Sequence, residues 1–275
     1  MLRSDRDARI AATGRKPYRN AWRAHSDWRY ARDLHLGIEG RVKKAIGFDL
    51  GETLLRYDGV GMSWVPKYRE AIRAAAAACD RSPGEVETDR AIAVLERYNT
   101  RLAPRTREVT ECQIFGEVTT ALGFEPGDRR TVADAFFHFY RRSVTAYPDT
   151  IDTLRNLVAL GFTIGVLTDV PYGMERSRVE ADLAAAEIDG FVSLVLTSVE
   201  VGHRKPARAG FVRLAADLNT PIGALIYVGN EEKDIEGANA AGSRSVLIDR
   251  EGRQPDWGAW ARIDRLDQIL ELVTA

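Results

Sequence analysis

Short apolar runs rich in β-branched residues recur along this chain, each stopping near an acid, a hydroxyl or a glycine, with helix-patterned segments between them. Ala45-Ile-Gly-Phe-Asp-Leu50 is the first, and 162–169, 191–197, 224–229 and 245–249 follow. Each reads as a buried strand that ends at a loop. Helical segments at 149–160, 174–187, 207–218 and 234–241 supply the crossovers. Strands and helices alternating at this spacing build βαβ units, so an α/β fold with a doubly wound parallel sheet is expected.

Residues 62–147 break the rhythm. They hold few β-rich runs and many helix formers, with helices expected over 68–79, 85–102, 110–122 and 129–147. The alanines of 74–78 read as a helix packed closely on a neighbour, and Phe136, Phe137, Phe139 and Tyr140 as core. A helical insertion between the first two strands would sit above the carboxyl ends of the sheet, where such folds bind ligands, and could act as a lid.

With 275 residues, 45% hydrophobic and 29% charged, and a formal net charge of −1, the chain has room for a large core and no composition typical of disorder or membrane spans. Charge is uneven: residues 1–44 carry 12 Lys/Arg against 5 Asp/Glu, and the remainder 27 against 35. Residues 1–43 therefore read as a basic extension, partly helical or disordered. Its Tyr18, Trp22, Trp28 and Tyr30 offer a weaker alternative, stacking on a nucleic acid. Only Cys79 and Cys112 are present, too few for a disulfide framework. No apolar leader and no run of about 18 apolar residues appears, so the expected setting is cytoplasmic, without a membrane.

The polar groups at the strand ends are Asp49, then Thr168 with Asp169, then Lys205, then Asn230 and Asp234. In a parallel sheet these ends meet at one crevice. A carboxylate, a hydroxyl, an ammonium and a further carboxylate are what phosphoryl transfer through a covalent aspartyl phosphate requires. Asp49 would attack phosphorus, Thr168 and Lys205 would bind the non-bridging oxygens, and Mg²⁺ held by Asp49 and the last loop would offset anionic repulsion.

Phe48-Asp-Leu-Gly-Glu-Thr-Leu54, Leu167-Thr-Asp169, Arg204-Lys-Pro206 and Val228-Gly-Asn-Glu-Glu-Lys-Asp-Ile-Glu-Gly-Ala238 resemble the four ordered motifs of the haloacid dehalogenase superfamily, over about residues 44–250. The resemblance implies a Rossmann-like core from 44–61 and 148–275, with 62–147 as a helical cap of the first type. It also implies a hydrolase, most readily a Mg²⁺-dependent phosphatase of a small phosphorylated metabolite. Position by position, Asp49 matches the nucleophile and metal ligand, and Gly51 a metal-binding backbone carbonyl. Thr168 and Lys205 match the phosphate-binding groups. Asn230 and Asp234 match the remaining metal ligands, and Asp169 is expected to help orient the loop at the substrate.

Two positions depart from the family pattern. Phosphatases of the family usually carry an Asp two residues after the nucleophile, to protonate the leaving oxygen; here Gly51 has no side chain. Such acid–base help is worth about 10²–10⁴ in rate. Asn230 replaces an acid and removes a charge from the metal site. Glu52 is a weaker candidate for the missing proton donor, and His203 for a base. These departures support two alternatives: a protein that binds a phosphorylated ligand with little catalysis, or a dehalogenase or phosphonatase type of hydrolase whose leaving group needs no proton. Substrate choice is expected to rest on cap residues such as Arg105, Arg107, Glu111 or Gln113.

Overall fold

A computed structural model describes residues 44–61, 63–252 and 254–274. The basic extension read from the sequence, with its possible nucleic-acid contact, lies outside the described residues. In chain order the elements are β1 (Ala45–Phe48), β2 (Leu55–Tyr57), α1 (Tyr68–Ala77), α2 (Glu85–Tyr98), α3 (Glu111–Ala121), α4 (Arg129–Tyr140), β3 (Val144–Ala146), α5 (Thr150–Ala159) and β4 (Thr163–Thr168). Then come α6 (Arg176–Ala185), β5 (Leu194–Thr197), α7 (Ser198–Val201), α8 (Arg208–Asp217), β6 (Ile226–Gly229), α9 (Glu232–Ala241), β7 (Arg244–Ile248), β8 (Ala261–Ile263) and α10 (Ile269–Thr274).

Among the described residues six strands form one sheet in the order β5-β4-β1-β6-β7-β8, every pair parallel. The doubly wound parallel sheet expected from the sequence is present. Side chains alternate across it, as a pleated strand requires. Ile46, Phe48, Ile164, Val166, Val195, Ile226, Val228, Val246 and Ile248 face one core, with α5, α6 and α10 over them. Ala45, Leu167, Leu196, Leu225 and Tyr227 face the other, under α8 and α9.

The strand order reverses at β1. From there the chain runs to β4 and β5 on one side and to β6, β7 and β8 on the other, so the carboxyl ends of β4, β1 and β6 lie side by side at the switch point.

The four helices α1–α4 pack on one another between β2 and β3. Phe136 sits at their centre, buried, with Trp64, Phe115, Phe137, Tyr140 and Tyr172 around it at ring separations of 5.2–6.1 Å. Edge and tilted contacts dominate, the arrangement that ring quadrupoles favour. The helix expected over 129–147 is shorter: it stops at Tyr140, and Val144–Ala146 pairs antiparallel with Leu55–Tyr57 as a separate two-stranded ribbon. That ribbon joins the two ends of the insertion. No described helix is long and apolar enough to cross a membrane.

Candidate active site

Asp49 follows β1 directly, and its amide extends the ladder to Val228 O at 2.8 Å. Its carboxylate Oδ1 accepts from Lys205 Nζ at 2.6 Å. The same ammonium donates to Asp234 Oδ1 at 2.6 Å and lies 3.3 Å from the Tyr227 hydroxyl, which donates to Leu167 O at 2.8 Å. Lys205 and Asp234 are buried, with side-chain exposures of 2% and 0%. Groups 156 and 29 residues apart from Lys205 in sequence thus share one buried charge network.

Electrostatics follow from that burial. Desolvation lifts the Asp49 carboxyl to about 6, against the pull of Lys205 and with a further push from Asp234. Burial acts to lower Lys205, but the two carboxylates outweigh it and hold the ammonium well above its ordinary value. Burial pushes the Tyr227 hydroxyl up as well.

Asp234 reaches Lys205 because of local chemistry at the start of α9. Its second oxygen accepts from the Glu231 amide at 3.0 Å, while the Glu231 side chain caps the Asp234 amide in return. A Cβ on residue 229 would lie 2.4 Å from the Asp234 Cβ, so only glycine lets this carboxylate tuck under the end of β6. Asp234, expected as a metal ligand, is fully buried beneath the cleft, with one oxygen on Lys205 and the other on the Glu231 amide.

The other expected residues gather on the same cleft, whose volume is about 990 Å³. Asp49, Gly51, Thr168, Asp169, Lys205 and Asn230 all line it; Asp234 lies beneath. Thr168, last in β4, makes no side-chain hydrogen bond among the described residues, leaving its hydroxyl available. Asp169 Oδ1 accepts from the Lys205 amide at 3.1 Å, which ties the loop after β4 to the lysine. Asn230 Oδ1 accepts from Thr53 Oγ1 at 3.1 Å.

Glu52 stands with φ of 59°, and its carboxylate accepts from the Tyr147 hydroxyl. Glu231 pairs with Lys233 at 2.7 Å and Arg101 at 3.0 Å; burial raises its carboxyl, but these cations outweigh burial and bring it down to about 2. Among the described residues no three His, Cys, Asp or Glu side chains group as a metal cage. The cleft does offer an all-oxygen set: the Asp49 carboxylate, the Gly51 carbonyl and the Asn230 side-chain oxygen. That set fits Mg²⁺, which keeps several waters and takes one or two carboxylates plus substrate phosphate.

Several members have no signal in the sequence. Tyr227 reads as one more apolar strand residue. Glu108, in a polar loop, is buried and accepts from Ser198 Oγ at 2.5 Å, from Arg105 Nη2 at 3.1 Å and from Arg204 Nη1. Arg204 also donates to Val170 O at 2.8 Å, so the insertion is stitched to the loops carrying Thr168 and Lys205. Tyr172 holds a left-handed backbone with φ of 51°, worth about 1–3 kcal/mol of strain. Its hydroxyl meets that of Tyr68, which takes Asn99 Nδ2 at 2.7 Å. Arg105 and Arg107 line the cleft as expected. Glu111 and Gln113 do not: Glu111 is buried against Arg178 at 2.9 Å, and Gln113 sits exposed in the first turn of α3, its backbone N–H donating to Thr110 Oγ1.

The family of haloacid dehalogenase-like hydrolases matches residues 43–242. Ribulose-1,5-bisphosphate 5-phosphatase of Halopiger xanaduensis is 34% identical over 125 residues, 45% of this chain and 51% of that protein. Phosphoserine phosphatase of Thermus thermophilus is 33% identical over 145 residues, 52% of this chain and 56% of that one. The chain thus spans about half the length of the curated relatives it matches. A 2-haloacid dehalogenase from Pseudomonas syringae pv. Tomato superposes with a TM-score of 0.58 at 23% identity, covering 84% of this chain and 98% of its own, a likeness of fold. The sheet order, the convergence of the strand ends and a family match over most of its length agree, and the chain belongs to the haloacid dehalogenase-like hydrolases.

Proposed function

We propose that the protein is a Mg²⁺-dependent phosphoric monoester hydrolase acting on a small phosphorylated metabolite through an aspartyl phosphate at Asp49. One observation carries the reading: the buried Lys205 ammonium holds Asp49 at 2.6 Å on the floor of a cleft at the switch point of the sheet. The phosphatase names of the two relatives above support it. Two unpaired cysteines fit a reducing, cytoplasmic setting.

Lys205 fixes Asp49 Oδ1, leaving Oδ2 without a protein donor among the described residues. Oδ2 forms the new bond to phosphorus as the ester P–O bond breaks. Thr168 Oγ1 and Lys205 bind the non-bridging oxygens. The leaving oxygen takes its proton from solvent, because residue 51 has no side chain to give one. Water then attacks phosphorus, phosphate departs, and Asp49 returns as a carboxylate. Mg²⁺, held by Asp49, the Gly51 carbonyl and Asn230, supplies positive charge that offsets repulsion between the nucleophile and a dianionic ester. Asp234 serves as a positioning residue for Lys205. Asp169 orients the lysine's backbone, and α1–α4 form the cap that screens the cleft from water.

The test is turnover of a panel of phosphate monoesters with Mg²⁺, by the natural protein and by Asp49→Asn. Hydrolysis that vanishes in the variant supports the reading, and an unchanged rate sinks it. Halide or phosphonate release without ester hydrolysis would favour the alternative hydrolase, and tight binding without turnover a binding protein.

A further inference from the structure

Seven cationic side chains line the cleft against four carboxylates, those of Asp49, Glu52, Asp169 and Glu231. Six of the seven cations are engaged. Arg101 pairs with Glu231, Arg105 with Glu108, Arg141 with Asp182, Arg204 with Glu108, Lys205 with Asp49 and Asp234, and Lys233 with Glu231. The seventh, Arg107, is exposed, and its side chain makes no hydrogen bond, ion pair or ring contact among the described residues.

The backbone around Arg107 is fixed. The Arg204 amide donates to Thr106 O at 2.8 Å and the Glu108 amide to Gly202 O at 3.1 Å, so Arg107 bridges antiparallel to His203. Next to it Glu108 is buried in the cluster with Ser198, Arg105 and Arg204. The fixed backbone sets where the Arg107 side chain starts, and its free guanidinium has the fork geometry that suits a planar, two-oxygen anion. His203 lies two residues before Lys205, about 7 Å of extended chain. The cleft, at about 990 Å³, has room for much more than a phosphate group.

We propose that Arg107 is a specificity-determining residue that binds a second anionic group on the substrate, so that the preferred substrates are phosphate monoesters also carrying a carboxylate or a second phosphate. The inference rests on the phosphatase reading above. The spacer between the two anions is short, about two to six carbons at about 1.5 Å per bond.

The experiment compares kcat and KM for ω-carboxyalkyl phosphates of two to six carbons with the matching ω-hydroxyalkyl phosphates. At one spacer length or more, the natural protein should favour the carboxylate by about ten- to a hundred-fold in kcat/KM, carried by KM, as for a charge-assisted bond. Arg107→Ala should collapse that ratio toward one, and Arg107→Lys should restore part of it. Because the ratio compares matched esters, a general loss of activity cancels. Equal hydrolysis of both series at every length, or a ratio that survives Arg107→Ala, overturns the inference and leaves the phosphatase reading standing. Hydrolysis of neither series, nor of any other monoester, removes both.

Discussion

Restoring an acid two residues after Asp49 tests the mechanism from its weakest point. Side chains two apart on an extended segment point the same way, and Leu50 between them is buried in the core. A Cβ at residue 51 meets nothing within 4 Å, and the backbone there lies outside the left-handed region. Gly51→Asp should therefore place a carboxyl beside Asp49 with little strain, leaving the melting temperature within about 2 °C of the natural value. The Asp49 carboxylate close by would push a new carboxyl upward, favouring its protonated, proton-donating form. We expect the low end of general-acid catalysis, about 10²-fold in kcat for alkyl phosphates, a barrier about 2.7 kcal/mol lower. p-Nitrophenyl phosphate, whose leaving group is a stable anion, should gain less than about threefold. The assay is kcat across leaving groups of graded basicity at about pH 6. An equal gain for every leaving group, or a fall in all of them, would refute the idea that residue 51 limits protonation.

Asp234→Asn keeps the shape at the start of α9 but removes one of the two charges on Lys205. It should cost about 3 kcal/mol in urea denaturation and lower kcat/KM more than tenfold. Phe136→Ala empties the centre of the aromatic cluster between α1, α3 and α4, and should destabilise by about 3–5 kcal/mol in the same assay. Burial acts to raise the Asp149 carboxyl, but Arg250 at 2.8 and 3.0 Å and the Leu266 amide at 2.7 Å outweigh it and hold it below its ordinary value. That stability is present above the unfolded value of about 3.9 and lost as pH falls through the lowered native one. Asp149→Asn should thus cost about 2 kcal/mol at pH 7, and the gap should narrow in denaturation curves taken at successively lower pH, as the native carboxyl takes up its proton.

Much of this architecture was legible because its strands are buried and apolar. β1, β4, β5, β6 and β7 fall on the five runs that open the chain's rhythm. β8 did not announce itself, since three residues with Arg262 in the middle carry no pattern. β3 was absorbed into a longer helix because the Arg141-Arg142-Ser143 break holds neither Gly nor Pro. At the site, Asp49, Gly51, Thr168, Asp169 and Asn230 were readable from their places at strand ends, whereas Lys205, expected at one too, comes eight residues after β5 with α7 between. The commitment of Asp234 to Lys205 was not, because it depends on a capping box and a missing Cβ at Gly229 that only the folded chain reveals. Glu108 and Tyr227 were silent for the same reason: long-range burial, not spacing, gives them their partners.

The most direct test of a covalent role for Asp49 is an acid quench during single turnover with a ³²P-labelled ester and Mg²⁺, followed by peptide mapping. The account predicts an acid-stable, hydroxylamine-labile label on the peptide containing Asp49, absent from Asp49→Asn. Phosphate release with no labelled protein at any quench time, or a label on another residue, would contradict it.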